Sequence, residues 1–128
     1  MNVTIEIGPG ELIDKITILE IKAAHIGARE KLVNIRHELG VLRAARDVAI
    51  APSEALDNLT AQLKSINGTL WRIEDDIRDC ERGGDFGARF VALARAVYRT
   101  NDQRAAVKRQ INELLDAAIV EEKSYARY

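Results

Sequence analysis

Charged and amide side chains lie beside the apolar stripes of two predicted helices, where burial requires either a partner or a ligand. On the predicted helix that contains residues 70–80, Glu74 and Arg78 are four residues apart and share a face. On the second, Asn101, Arg104 and Lys108 follow one face at helical spacing. An ionised group is costly to bury alone, so these groups must pair with one another or bind a group of opposite charge.

Two interpretations fit these groups, and spacing on separate helices leaves both open. In the functional one, Arg104 and Lys108 hold a phosphate or carboxylate in an anion pocket, while Glu74 acts as acid or base. In the structural one, Glu74 and Glu11 neutralise the neighbouring basic residues and fix the helix register. The candidate binding residues all carry polar groups near the core face; they are Glu11, Lys15, Glu74, Arg78, Tyr98, Asn101, Arg104, Lys108 and Asn112.

Signatures of metal sites and activated nucleophiles are missing from the sequence. No Glu-x-x-His pair occurs, and His25 and His37 are isolated. Residues 11–14, Glu-Leu-Ile-Asp, are similar to half of the acidic arrangement of magnesium-dependent helical nucleotide pyrophosphohydrolases. Only Glu121 and Glu122 are available for the other half. We therefore expect neither a metal nor a cofactor.

Composition favours a single globular domain over residues 1–128. The chain is 47% hydrophobic and 30% charged, and only two Pro and eight Gly interrupt its helices. Because 19 basic residues face 20 acidic ones, no global field attracts nucleic acid, and aromatic residues are only 5%.

Several absences favour a cytoplasmic protein. Cys80 is the single cysteine, which fits a reducing compartment. No apolar run approaches the roughly 20 residues of a membrane span. The N-terminus lacks the basic and apolar regions of a secretory signal. We therefore expect no nucleic-acid partner and no membrane span.

Hydrophobic periodicity predicts the elements that must position the polar groups. Helices are predicted over 11–26, 28–49 and 53–82, and a helical region over 85–116 forms one helix or two. The alternative of two rests on Thr100 and Gln103, which resemble a capping box. Alternation over 3–7 predicts a short half-buried strand, paired with 119–121 or with its copy in a second subunit. The fold class is an all-α bundle of four to five antiparallel helices with a short N-terminal extended segment.

The first predicted helix is apolar on more than one side. Leu12, Ile16 and Leu19 form one stripe, whereas Ile18 and Ile21 lie on nearly the opposite side. Such a helix is either central in the bundle or buried against another subunit. This pattern favours a homodimer.

Four sequence blocks resemble a small uncharacterised bacterial family filed as a domain of unknown function. The blocks are GELIDKITILEIK (residues 10–22), LWRIEDDIR (70–78), VYRTNDQR (97–104) and EEKSY (121–125). Together they run over almost the whole chain. Members of that family are short and helical, and some are found near glycosyltransferase and surface-polysaccharide genes. The resemblance implies a link to cell-envelope polysaccharide synthesis and carries over no catalytic residue.

These observations favour a non-enzymatic function. The leading hypothesis is a cytoplasmic interaction or ligand-binding module that forms a homodimer and takes a small anionic ligand. The alternative is a small enzyme that acts on a phosphorylated or carboxylated metabolite through Glu74, Arg78, Arg104 and Lys108. A solvent-reachable cavity lined by these side chains would favour the enzyme, whereas sealed pairs among them would favour a scaffold.

Overall fold

Four helices make up the regular structure of the chain in a computed structural model, which describes residues 1–117, 119 and 121–126. They are α1 (Pro9–His25), α2 (Arg29–Ala49), α3 (Glu54–Gly83) and α4 (Ala88–Leu114). No strand occurs among the described residues. The predicted all-α class is confirmed, and the helix count lies within the predicted range.

Local sequence signals set several of the helix ends. Pro9 occupies the first turn of α1, where its missing N–H is harmless. The Ser53 hydroxyl accepts a hydrogen bond from the Leu56 N–H at 3.1 Å and caps α3. Gly84 ends that helix in the left-handed conformation, with φ of 64°, which favours glycine.

Residues 88–114 form one continuous helix, which settles the choice left open at Thr100. Thr100 is buried inside α4 and does not begin a new helix. Continuity places Arg104, Lys108 and Asn112 along one row, four residues apart, as a single helix requires.

α1 is the central helix of the bundle. It contacts the other three helices, α3 also packs against α4, and α2 contacts only α1 among the described helices. One side of α1 joins α2 in a cluster of buried residues: Leu12, Ile16, Leu19, Ile35 and Leu39. Another side joins α3 and α4 in a second cluster: Ile13, Leu56, Leu63, Val107 and Ile111. The apolar character of α1 on several sides is thus satisfied within the chain.

The half-buried strand predicted over residues 3–7 does not form within the single chain. Residues 1–7 lie outside helices, and Val3 and Ile5 are 76% and 71% exposed. Of the predicted pairing segment 119–121, Val120 lies outside the described residues. A segment without a ladder partner has no strand hydrogen bonds to hold it, which explains the result.

Gly10 lets the first turn of α1 approach the backbone of α4. A Cβ atom at this position would collide with the Lys108 carbonyl oxygen. The Gly10 N–H also donates to Asn112 Oδ1 at 2.8 Å. The absence of a side chain therefore sets the distance between the two helices.

We predict opposite effects of alanine at two helical glycines. Gly10→Ala should lower the free energy of unfolding by more than about 2 kcal/mol, because overpacking forces backbone apart. Gly68→Ala, where the new Cβ meets only the Arg72 side chain at 3.8 Å, should raise it by about 0.5–1 kcal/mol. Urea denaturation of both variants measures the effects. Equal effects of the two substitutions would contradict the close approach at Gly10.

Candidate functional site

A buried carboxylate joins three helices at the middle of the bundle. The Asp14 residue is 0% exposed, and its Oδ1 accepts hydrogen bonds from Arg104 Nε and from Asn67 Nδ2, both at 2.9 Å. Arg104 Nη2 donates to the second oxygen, Oδ2, so the guanidinium grips the carboxylate with two donors. Bidentate pairing of this kind is the strongest form of ion pair available to these side chains.

Neighbouring polar groups provide the remaining hydrogen bonds around Asp14. Thr17 Oγ1 donates to the Asp14 carbonyl at 2.8 Å and accepts from Asn67 Nδ2 at 2.9 Å. The hydrogen bond to Asp14 raises the pKa of Arg104 above its ordinary value, against the opposing effect of burial. Among the described residues no buried side-chain nitrogen or oxygen lacks a partner. The charge is therefore buried with full compensation.

Lys108 holds a second ion-pair group one turn farther along α4. Its Nζ donates to Glu11 Oε2 at 2.7 Å and to Glu121 Oε2 at 2.5 Å, and its side chain is only 8% exposed. Burial lowers the pKa of Lys108, but these hydrogen bonds outweigh it and leave the pKa above its usual 10.5. We call these connected groups the polar seam. Its members are Gly10, Glu11, Asp14, Thr17, Asn67, Arg104, Lys108, Asn112 and Glu121.

An open groove of about 520 Å³ lies against the polar seam. Its walls come from α1, α3 and α4 and combine apolar with charged side chains: Ile18, Ile21, Asn67, Leu70, Trp71, Glu74, Asp75, Arg78 and Arg104. Asn67 and Arg104 belong to both the seam and the groove. Their polar groups thus form the junction between the buried network and the solvent-reachable surface.

The groove has an apolar wall and a charged edge. Trp71 is packed beside the His25 ring, with centroids 5.1 Å apart, and contributes a half-buried aromatic surface. Glu74 and Arg78 form a loose exposed pair, 3.7 Å between Oε2 and Nε. Arg104 uses Nε and Nη2 on Asp14, and no acceptor in the described part of the chain bonds to its Nη1. These groups offer hydrogen bonds to a ligand at the groove edge.

The structure divides the predicted site residues into separate locations. Arg104, Lys108, Asn112 and Glu11 contribute to the polar seam. Glu74 and Arg78 line the groove with Arg104, whereas Lys108 does not.

The remaining predicted residues lie at the margins. Lys15 is half exposed, with Nζ 3.6 Å from Glu11 Oε1. Tyr98 is exposed and Asn101 half-buried on α4, and neither lines the groove.

Asp14 is the central residue that the sequence interpretation missed. The structural interpretation assigns the neutralisation of Arg104, Arg78 and Lys108 to Glu74 and Glu11, but Arg104 binds Asp14 instead. A signal was present, because Asp14 is four residues before Ile18 and seven before Ile21, on the same side of α1. A carboxylate within an apolar stripe is the pattern that singled out the other candidates.

The acidic half-motif at residues 11–14 is engaged by basic side chains. Glu11 binds Lys108, and Asp14 binds Arg104. In the described part of the chain, no group of three His, Cys, Asp or Glu residues is arranged to hold a metal ion. No described helix combines the length and apolarity needed to cross a membrane.

Together, the fold and the site define a small all-α bundle in which a polar seam underlies an amphipathic groove. The model of DUF6165, a family of unknown function, matches residues 3–128, and the chain belongs to this family. The resemblance to a domain of unknown function is thereby confirmed. No curated protein and no solved structure matches the chain.

We predict that Arg104→Met destabilises the protein by about 3 kcal/mol, because it leaves the Asp14 carboxylate buried without its main partner. The double variant Asp14→Asn/Arg104→Met should lose less, since the unpaired charge is then gone. Arg78→Met, which removes only an exposed pair, should cost under about 0.5 kcal/mol. Urea denaturation measures all three. A double variant less stable than Arg104→Met would count against a compensated buried charge.

We predict that the stabilising effect of Lys108 depends on pH. Its folded-state pKa is raised, so its contribution is fully present below the ordinary 10.5 and is lost as pH rises through the folded-state value. The stability gap between wild type and Lys108→Met, about 1–2 kcal/mol, should be constant from about pH 7 to 10 and shrink above 10.5. Lys64→Met, at a half-exposed lysine, is the control and should show a small gap throughout. A gap that widens above pH 10.5 would refute the assignment.

Proposed function

We propose that the chain is a ligand-binding module whose groove takes a small amphipathic molecule. The observation that carries the proposal is the groove itself, in which an apolar wall faces a charged edge that includes Arg104. Concave sites with an apolar lining and a few convergent polar groups are the usual form of small-molecule sites. Trp71 and Leu70 would contact the apolar body of the ligand.

The balance of charge in the groove narrows the ligand class. Arg78 and Arg104 are available to an acidic group, but Glu74 and Asp75 line the same groove and Asp14 already neutralises Arg104. A bare anion would meet more negative than positive charge, since the three carboxylates outnumber the two guanidinium groups. The predicted small anionic ligand therefore becomes one that also carries hydroxyl or ammonium donors for the two carboxylates.

We prefer a binding module to the alternative enzyme for two reasons. The alternative enzyme would act through four side chains, one of which is Lys108. Lys108 lies outside the groove and is paired with Glu11 and Glu121. Arg104 has two of its donors committed to Asp14. A group held this firmly suits the orientation of a ligand more than participation in turnover.

The cellular location, the oligomeric state and the biological process of this chain stay predictions. We propose a cytoplasmic homodimer from a bacterium, with a function in cell-envelope polysaccharide synthesis. α1 no longer supports the dimer, since it buries its several apolar sides within the chain. We further propose that α1 and α4 run antiparallel, which is supported by the order of the pairs Gly10–Asn112, Glu11–Lys108 and Asp14–Arg104.

We predict that a molecule with an acidic group and nearby hydroxyl or ammonium donors raises Tm in a thermal-shift screen. The panel contains nucleotides, sugar nucleotides, sugar phosphates, amino acids and simple dicarboxylates. A ligand at about 100 times its Kd stabilises the folded state by about 2.7 kcal/mol, a shift of several degrees. Dicarboxylates without donors should shift Tm less than the mixed ligands.

Variants on α3 assign any binding to the groove. Arg78→Ala should weaken the ligand about tenfold, which corresponds to about 1.4 kcal/mol. Arg82→Ala is the matched control, because both arginine side chains are 71% exposed on the same helix and Arg82 does not line the groove. Titration calorimetry measures the affinities. Equal loss in both variants, or no shift with any compound, would argue against the groove as a binding site.

A further inference from the structure

From Val33 to Val48 the outer face of α2 is uncharged, although no described helix covers it. α2 contacts only α1, and its buried residues Ile35 and Leu39 point that way. At about 100° per residue, the opposite side carries no acidic, Lys or Arg side chain from position 33 to 48. Its members are Val33, His37, Gly40, Val41, Ala44 and Val48. A solvated helix face is ordinarily polar, so this face indicates a partner.

We propose that this face binds the same face of a second copy, with the two α2 helices antiparallel about a two-fold axis between Gly40 and Val41. Val33, Val41 and Val48 are 62%, 54% and 90% exposed in the single chain. The axis sets Val33 of one copy opposite Val48 of the other and Gly40 opposite Val41. Nothing lies within 4 Å of a Cβ built on Gly40, so the glycine leaves room for the valine.

Charge complementarity argues for a second copy over another partner. Arg36 and Asp47 are eleven residues apart, so they lie within about 20° of one another on a single flank of α2. In an antiparallel pair, this flank of one copy lies against the same flank of the other. Measured along the helix axis, Arg36 of one copy and Asp47 of the second are then about 3 Å apart. Two-fold symmetry forms this pair twice, as a self-complementary interface requires.

Arg36 and Asp47 each keep atoms available for the proposed ion pair between the two copies. Arg36 makes no ion pair within the described part of the chain. Asp47 uses Oδ1 to accept from Arg46 Nε at 3.0 Å and keeps Oδ2 for another donor.

The size of the face predicts a weak dimer. The uncharged residues span about 22 Å along α2, at about 1.5 Å per residue. One helix face buries less than the about 800 Å² per partner of a standard interface. We therefore expect the dimer to dissociate on dilution through the micromolar range.

Sedimentation velocity over a dilution series of the full chain tests the proposal. The wild type should pass from dimer to monomer, and Val41→Lys should be monomeric throughout, with association weakened about 30-fold or more. Val91→Lys is the matched control, because Val91 is 52% exposed on α4, close to the 54% of Val41. Circular dichroism melts should show both variants folded, as expected for substitutions at exposed valines.

Charge exchange supplies a second test that does not depend on the valine variant. Arg36→Glu and Asp47→Arg should each weaken association about fivefold, as loss of a surface ion pair does, and the double variant should recover it. A wild type that is monomeric at every concentration would overturn the proposal, as would a dimer that persists in Val41→Lys. Failure of the double variant to recover would refute the antiparallel pairing. Loss of the dimer in Ile5→Lys alone would assign the interface to the exposed N-terminal segment instead.

Discussion

The ion pair between Asp14 and Arg104 is the constraint on which the rest of the structure depends. Asp14 is fully buried on the central helix, where an ionised carboxylate is tolerated only with strong compensation. Arg104 from α4 and Asn67 from α3 provide it, so one carboxylate aligns three helices. The bond between Gly10 and Asn112, and the Lys108 group, continue the same alignment along α1 and α4.

The position of Arg104 couples the stability of the bundle to the proposed ligand site. Its guanidinium is anchored on the buried side by Asp14 and lines the groove on the other side. An anchored donor is already oriented before a ligand arrives, which lowers the entropic cost of binding. The same coupling means that loss of Arg104 would perturb the fold and the proposed binding together. Arg78, which is exposed and paired only loosely, separates the two effects.

The central position of α1 has a consequence for α2. Because α1 lies between α2 and the pair formed by α3 and α4, α2 has one helix to pack against. Its inner face satisfies Ile35 and Leu39, while the opposite valines have no counterpart among the described helices. The apolar sides of α1, from which a dimer is predicted, are thus buried inside the chain. The uncharged face of α2 is the observation that supports the proposed dimer instead.

The sequence by itself determined the helices, because periodicity and end signals are local. Pro9, Ser53 and Gly84 act within one turn of the chain, and the 3.6-residue repeat placed Arg104 and Lys108 on the inward face of α4. These features need no knowledge of the neighbouring helices.

Only the tertiary structure decided which groups became partners. Arg104 binds Asp14, ninety residues away, whereas Glu74 remains with Arg78 at the groove. The strand predicted at the N-terminus failed for the same reason, since a strand exists only with a neighbour. Partner choice depends on how far one helix slides and rotates against another, and that is set by contacts between distant parts of the chain, such as the approach of Gly10 to α4.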